Sequence, residues 1–192
     1  MRPVGNTKAR AITEAKALLQ CVGYNGFSFQ HIADAIGIKK PSLYEHFKSK
    51  EDLGKSLIED YKRSFVEWTE TVSVFEPDAQ IGALFELFFK FAGDSKKLCP
   101  LSAMIGDLNS LPKRMKNALE GLYETRRLWI KEVIKRGQGQ KIFRKDKSAE
   151  ELANLILAMG LGAQLTARVS GRPDLVRELK TRALEVLGPS EE

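Results

Sequence analysis

Histidine and cysteine are almost missing from this chain: two of each occur in 192 residues. Both histidines, His31 and His46, fall in one short stretch near the N-terminus, leaving none elsewhere for a triad or a general base. No Gly-rich phosphate loop, CxxC pair or HExxH motif occurs. The acid pairs Glu51-Asp52 and Glu150-Glu151 read as helix-start charges. An enzyme is therefore not expected, and neither is a metal or a cofactor. Cys21 and Cys99 are too few for a disulfide framework, which fits a reducing compartment. The N-terminus lacks the apolar core of a signal peptide, and the uninterrupted apolar runs read as too short to span a bilayer. The expectation is a soluble, cytoplasmic protein with no membrane partner. Internal repeats and low-complexity tracts are also lacking.

What the chain does have is enough apolar content, 43%, for a globular fold, and a net charge of +6. That charge is too modest to identify a nucleic-acid binder by itself, so its local concentration matters more. The stretch that matters runs from Phe27 to Lys50, FSFQHIADAIGIKKPSLYEHFKSK. Ser28 is an N-cap residue type, and Ile32, Ala33 and Ile36 behind it share one helical face. Gly37 takes a left-handed helix end without a Cβ clash. A second helix begins near Lys40-Pro41, where proline's missing N–H costs nothing, and Leu43 and Phe47 form its buried stripe. Lys39, Lys40, Ser42, Tyr44, His46, Lys48 and Lys50 are left on the other faces. A short helix that is apolar inside and cationic with hydroxyls outside suits a DNA major groove. The alternative is an αα-hairpin with a solvated basic face.

The remaining pattern is helical throughout. A first helix over 7–22 carries Ile12, Ala15, Leu19 and Val22 on one face and ends at Gly23. Ser49 with Asp52 starts a long helix reaching about Ser73. Helices are then expected over 78–91, over a short element from Pro100 to Leu108, over 112–136 with Gly137 to Gln140 ending it, from Ser148 to about Val169, and last to Leu187. The expected fold is all-α, with about nine helices: a helix-turn-helix DNA-binding domain over 1–48, and a helical effector-binding and dimerisation domain over 49–192. Residues 1–6 read as a short arm. The segment LANLILAMGLGAQLTARV is apolar on nearly all sides and needs cover all round. Paired with the last helix, it fits a homodimeric four-helix bundle, with Leu155, Met159, Gly162, Leu175, Leu179, Ala183 and Val186 as candidate contacts. The alternative is a core closed within one chain. Two-fold pairing also suits DNA, because one recognition helix reads few base pairs and a dimer reads a palindrome.

With helix 1 running into Gly23-Tyr24, then SFQHIA at 28–33, Gly37-Ile38 and LYEHFKSKEDL at 43–53, the chain resembles the TetR/AcrR family of bacterial transcriptional regulators. The motif similarity covers the first third of the chain; beyond it only the layout is similar. The resemblance implies a homodimer on a double-stranded DNA operator of palindromic sequence, an effector that changes the separation of the two recognition helices, and repression as the commoner outcome. It implies that Lys40, Pro41 and Ser42 approach bases, Lys40 as a donor to guanine and Ser42 to either base type. Pro41 departs from the family's usual small residue and offers its ring to a thymine methyl; Lys39 beside them is a further DNA-binding candidate. Tyr44, His46 and Lys50 are implied phosphate contacts, as are Ser28 and Gln30 at a helix N-terminus. Glu45 also departs from the family's usual aromatic or histidine.

The sensor half is less legible. Phe85, Phe88, Phe89, Tyr123 and Trp129 are candidate pocket rings, although aromatics at helical spacing also describe plain core. Cys99 follows Lys96-Lys97 and precedes Pro100 at a helix start, where nearby positive charge favours a thiolate. It is a candidate electrophile- or redox-sensing thiol, with an inert buried cysteine as the alternative. The effector is thus an unidentified small molecule or electrophile. The rival function is an effector-independent DNA-binding or architectural protein of the same fold.

Overall fold

Helix boundaries in this chain fall where local capping chemistry puts them. The computed structural model describes residues 7–93 and 97–189. The arm expected at residues 1–6 and Lys96, expected beside Cys99, lie outside the described residues, as do Asp94 and Ser95. Among the described residues there are nine α-helices and no strand: α1 (Thr7–Val22), α2 (Phe29–Ile36), α3 (Pro41–Tyr44), α4 (Lys50–Val72), α5 (Pro77–Ala92), α6 (Pro100–Ile105), α7 (Lys113–Gly139), α8 (Ala149–Ser170) and α9 (Leu175–Leu187). A 3-10 turn, Leu108–Ser110, follows α6. Gly23, Gly37 and Gly171 close α1, α2 and α8 with left-handed φ of 75°, 70° and 66°. Ser148 and Glu151 form a reciprocal capping box at the start of α8, and hydrogen bonding from Ser148 pulls the Glu151 carboxyl below its usual range.

One boundary and one composition reading differ from the sequence expectation. The helix over 112–136 continues to Gly139, so Gly137 is not its terminator. Gly137 is a packing residue: a Cβ there would lie 2.2 Å from Cδ2 of Phe143. The left-handed reversal falls on Lys141, φ 62°, and the Ile142 N–H reaches back to the Gly137 carbonyl at 2.8 Å. That is the bond pattern of a glycine C-cap made without glycine. The second difference concerns membranes. By length and composition α8 is apolar enough to cross one, with 22 residues and a mean hydropathy of 1.3 in its best window, 44% of which is buried within the chain. It passes that test because it is a core helix with an apolar outer face as well.

Packing divides the chain into two compact units, Met1–Tyr61 with Pro100–Leu122, and Lys62–Cys99 with Tyr123–Glu192. In the first, Ala11, Ala15 and Leu19 of α1 are fully buried with Ile32 and Ala33 of α2. Leu53, Leu57, Met115 and Leu122, from α4 and α7, are buried with them. Close approach is built in at Gly54, where a Cβ would sit 2.5 Å from Cε of Met115 and 2.9 Å from Tyr24. The Asn25 turn is fastened to the loop after α6. Its amide and side chain donate to Asp107 at 3.1 and 2.9 Å, and its side chain also reaches Ser110 Oγ at 2.8 Å.

In the second unit α5 packs against α8 and α9, which also pack on each other. Phe85 and Phe88 meet edge to face, 6.0 Å apart, in a core shared with Leu84, Ile130, Ile156 and Val176. Gly160 leaves room for the Phe88 ring, since a Cβ there would lie 2.1 Å from Cε2. Glu86 binds Lys180 at 2.6 Å and Arg177 at 3.3 Å across α5 and α9.

Candidate nucleic-acid interface

The region of interest starts at Ser28, whose backbone is extended (φ −136°, ψ 170°) and whose Oγ accepts from the His31 N–H at 3.4 Å. His31 Nδ1 in turn accepts from the Ser28 N–H at 3.3 Å, so a histidine completes the capping box. The sequence signature for that motif has Glu or Gln at this position, so nothing in the sequence marked His31 for the role. Gln30 is exposed and its Nε2 donates to Asp34 Oδ1 at 2.7 Å. Gly37 then turns the chain, and the Ile38 N–H bonds back to Ala33 at 3.0 Å. The Arg10 guanidinium, which the sequence did not single out, donates to the Ile36 carbonyl and ties α1 to the end of α2.

Pro41 opens α3 as its first residue. Regular helix stops at Tyr44, three residues before Phe47, although the Phe47 N–H still bonds the Leu43 carbonyl at 2.9 Å. Leu43 and Phe47 are buried; Lys39, Lys40, Pro41, Tyr44, Glu45 and His46 are exposed and Ser42 is half-buried. Tyr44 is 51% exposed, its ring leaning edge-on against Phe29 at 5.1 Å. This gives one short surface on which two lysines, a proline ring, a phenol and an imidazole stand outward around a buried leucine.

Lys50 is held differently from Lys39 and Lys40. Its Nζ sits 4.5 Å from the Tyr24 ring centre and 4.8 Å from that of Phe27. Burial lowers its pKa, partly offset by Asp107. Burial also pushes the Tyr24 phenol up to about 12, with Glu51 adding to the effect. Lys50 is therefore a half-buried, pre-positioned cation, whereas Lys39 and Lys40 are solvated.

The other candidate positions separate by burial. Phe85 and Phe88 are core and Cys99 is fully buried; Phe89, Tyr123 and Trp129 are half-buried. Trp129 packs on Phe65 and Trp68 and lines an open cleft of about 340 Å³ with Thr69, Glu70, Gln80, Glu132 and Arg136. On α8, Leu155 is 44% exposed, Gly162 is exposed with no atom near its missing side chain, and Met159 is half-buried. Leu175, Leu179 and Val186 of α9 are half-buried. Ala183, expected among the pairing contacts, is fully buried in its own chain's core and presents nothing to a partner. Among the described residues no group of three or more His, Cys, Asp or Glu side chains is placed to hold a metal ion.

A capped two-helix unit with an outward cationic face defines a helix-turn-helix DNA-binding regulator. The comparisons with known proteins narrow this further. The profile described as "Bacterial regulatory proteins, tetR family" matches residues 11–57, and the one described as "Tetracyclin repressor-like, C-terminal domain" matches 77–183. The chain belongs to the TetR family of transcriptional regulators. It is 28% identical over 177 residues to the HTH-type transcriptional repressor DhaR of a Mycobacterium species, covering 88% of this chain and 86% of that one. To IcaR of Staphylococcus aureus, a negative regulator of the biofilm operon icaADBC, it is 27% identical over 179 residues, covering 91% of each. A TetR regulator from Legionella pneumophila superposes with a TM-score of 0.88 at 28% identity, covering 97% of this chain and all of that one.

Proposed function

We propose that the protein is a repressor that binds a palindromic operator as a homodimer and is released by a small-molecule or electrophile effector. The observation that carries the pairing is the outer face of α8. Leu155, Leu165 and Val169 are 44%, 42% and 90% exposed, and the bare Gly162 lies between them. An apolar stripe of this kind on a helix favours cover by a like surface, and two-fold pairing of α8 and α9 supplies it. Half-buried Met159, Leu175, Leu179 and Val186 flank that seam. In this reading residues 1–48 are the DNA-binding domain and 49–192 the effector-binding and dimerisation domain, and the protein works in the cytoplasm.

Lys40 and Ser42 read base edges, and Lys39 and Pro41 border them. Tyr44, His46 and Lys50 hold phosphates and so set register, not sequence. Ser28 and Gln30 contribute from the start of α2, their side chains steadied by His31 and Asp34. The half-buried rings Phe89, Tyr123 and Trp129 are the aromatic part of an effector site, with Cys99 as its reactive group; Phe85 and Phe88 back them from the core. Selection of bound fragments from random duplex DNA, beside sedimentation of the free protein, tests this. The expected result is a two-fold symmetric consensus and a dimer. A monomer bound to an asymmetric site would overturn the reading. Operator binding that no small molecule relieves would favour an effector-independent architectural protein.

A further inference from the structure

Arg126 of α7 is 4% exposed. Its Nη1 donates to Cys99 Sγ at 3.5 Å, and its guanidinium carbon lies 5.3 Å from the centre of the Phe65 ring. Its Nε is buried and donates to nothing. The ion pairs among the described residues do not include it. A guanidinium keeps its charge at every pH a folded protein survives. The unit therefore buries a full positive charge whose polar neighbour is a sulfur atom. Buried charges are otherwise paired, because an unpaired one is strongly destabilising, and an aromatic face is a weaker partner than an anion.

We propose that Cys99 is the counter-ion of Arg126, held as a thiolate, and that alkylation of this sulfur by a small α,β-unsaturated carbonyl compound strands the guanidinium and loosens the unit. This rests on the effector-release reading and supplies the effector's chemical class. The sulfur is well fixed. Its residue's N–H donates to Gln164 Oε1 at 2.9 Å, and Gln164, itself buried, reaches the Gly160 carbonyl at 3.4 Å. Groups brought to Cys99 include the Arg126 cation from α7 and the neutral Gln164 amide from α8, with Lys97 two residues earlier on its own segment. Cys99 is also the last residue before the chain passes from one compact unit into the other. In the reaction the thiolate forms an S–C bond to the β-carbon. The alkene π pair moves to the enolate, which then takes a proton from water. The product is a neutral thioether beside a guanidinium that is still charged.

The test compares full-length wild type, Cys99→Ser, Arg126→Met and Arg126→Lys. The wild-type minus Cys99→Ser ultraviolet difference spectrum is expected to contain thiolate absorbance at pH 7. In Arg126→Met it should fall to about 3% of that, the fraction left by an ordinary thiol titrating near pH 8.5, and Arg126→Lys should restore it. A wild-type difference band emerging only around pH 8.5 overturns the proposal, and this spectrum decides the matter even if Arg126→Met does not fold. Methyl vinyl ketone is the alkylating probe, with adducts located by mass spectrometry. Its adduct at Cys99 should lower the wild-type Tm and weaken operator binding, and leave Cys99→Ser unchanged in both. An adduct that leaves Tm unchanged overturns the switch. Benzoate that raises Tm in wild type but not in Arg126→Met makes the counter-ion an external anion and overturns the thiolate assignment. If the untreated protein selects no operator, the regulator reading fails while the thiolate spectrum stands on its own.

Discussion

Two exposed faces of this molecule are built from opposite materials. Around α3 the outward residues are Lys39, Lys40, Pro41, Tyr44 and His46; along α8 they are Leu155, Ala158, Gly162, Leu165 and Val169. Each rests on an ordinary buried stripe, Leu43 and Phe47 in one case, Ile156, Ala163 and Ala167 in the other. The inner faces are alike because folding asks the same of both. On the proposed function the outer faces differ because their partners would differ: a polyanion rewards cations and hydroxyls, and a second apolar helix rewards bare methyls and a missing side chain.

The sharpest way to break that comparison is to put a charge into the apolar face. Leu165→Glu is expected to convert a dimer to a monomer in sedimentation and to reduce operator affinity by about 100-fold or more, since two half-sites no longer bind together. Next come two glycines half a turn apart. Gly160→Ala drives a methyl into Phe88 and should cost about 1–3 kcal/mol in denaturant unfolding. Gly162→Ala meets nothing within its own chain and should leave monomer stability equal or up to about 1 kcal/mol higher. If both cost the same, the inner–outer distinction along α8 is wrong. On the cationic face, Lys40→Ala is expected to lose about 1–3 kcal/mol of discrimination at one base pair, while Tyr44→Phe weakens all sequences alike. A Lys40 variant with unaltered sequence preference would move recognition elsewhere.

The smallest effect is electrostatic. The folded-state Tyr24 phenol sits at about 12, above its ordinary value near 10, so folding opposes its ionisation. Stability from this residue is complete below pH 10 and declines as pH rises toward 12, by about 1–2 kcal/mol. Tyr24→Phe should flatten that decline in a pH series of melting curves. An unchanged slope would mean the phenol ionises without hindrance in the folded protein.

Legibility in the sequence follows how local the cause is. Ser28, Gly37, Pro41 and the Ser148–Glu151 box act within a few residues of themselves, and the structure sets each where its type demands. Gly137 misled because its partner, Phe143, acts through packing and not through backbone freedom, so a glycine that reads as a stop is a recess for a ring. Ala183 misled for a related reason. Periodicity marks a buried side of a helix but not whether the covering surface belongs to the same chain. Arg126 gave no signal at all, because an arginine in a strongly charged amphipathic helix looks solvated until the fold turns it inward.

The Asn25–Asp107 fastening has a practical corollary for anyone exchanging operator preference between relatives. The part of the chain that would be transplanted is assembled from two stretches far apart in sequence, residues up to 61 and residues 100–122. Cutting after α4 would leave behind the carboxylate that anchors the turn between α1 and α2, and the Met115 side chain that fills the hollow at Gly54. A chimera that moves both pieces together inherits its own wall and its own anchor, and one that moves only the N-terminal segment must find replacements for both.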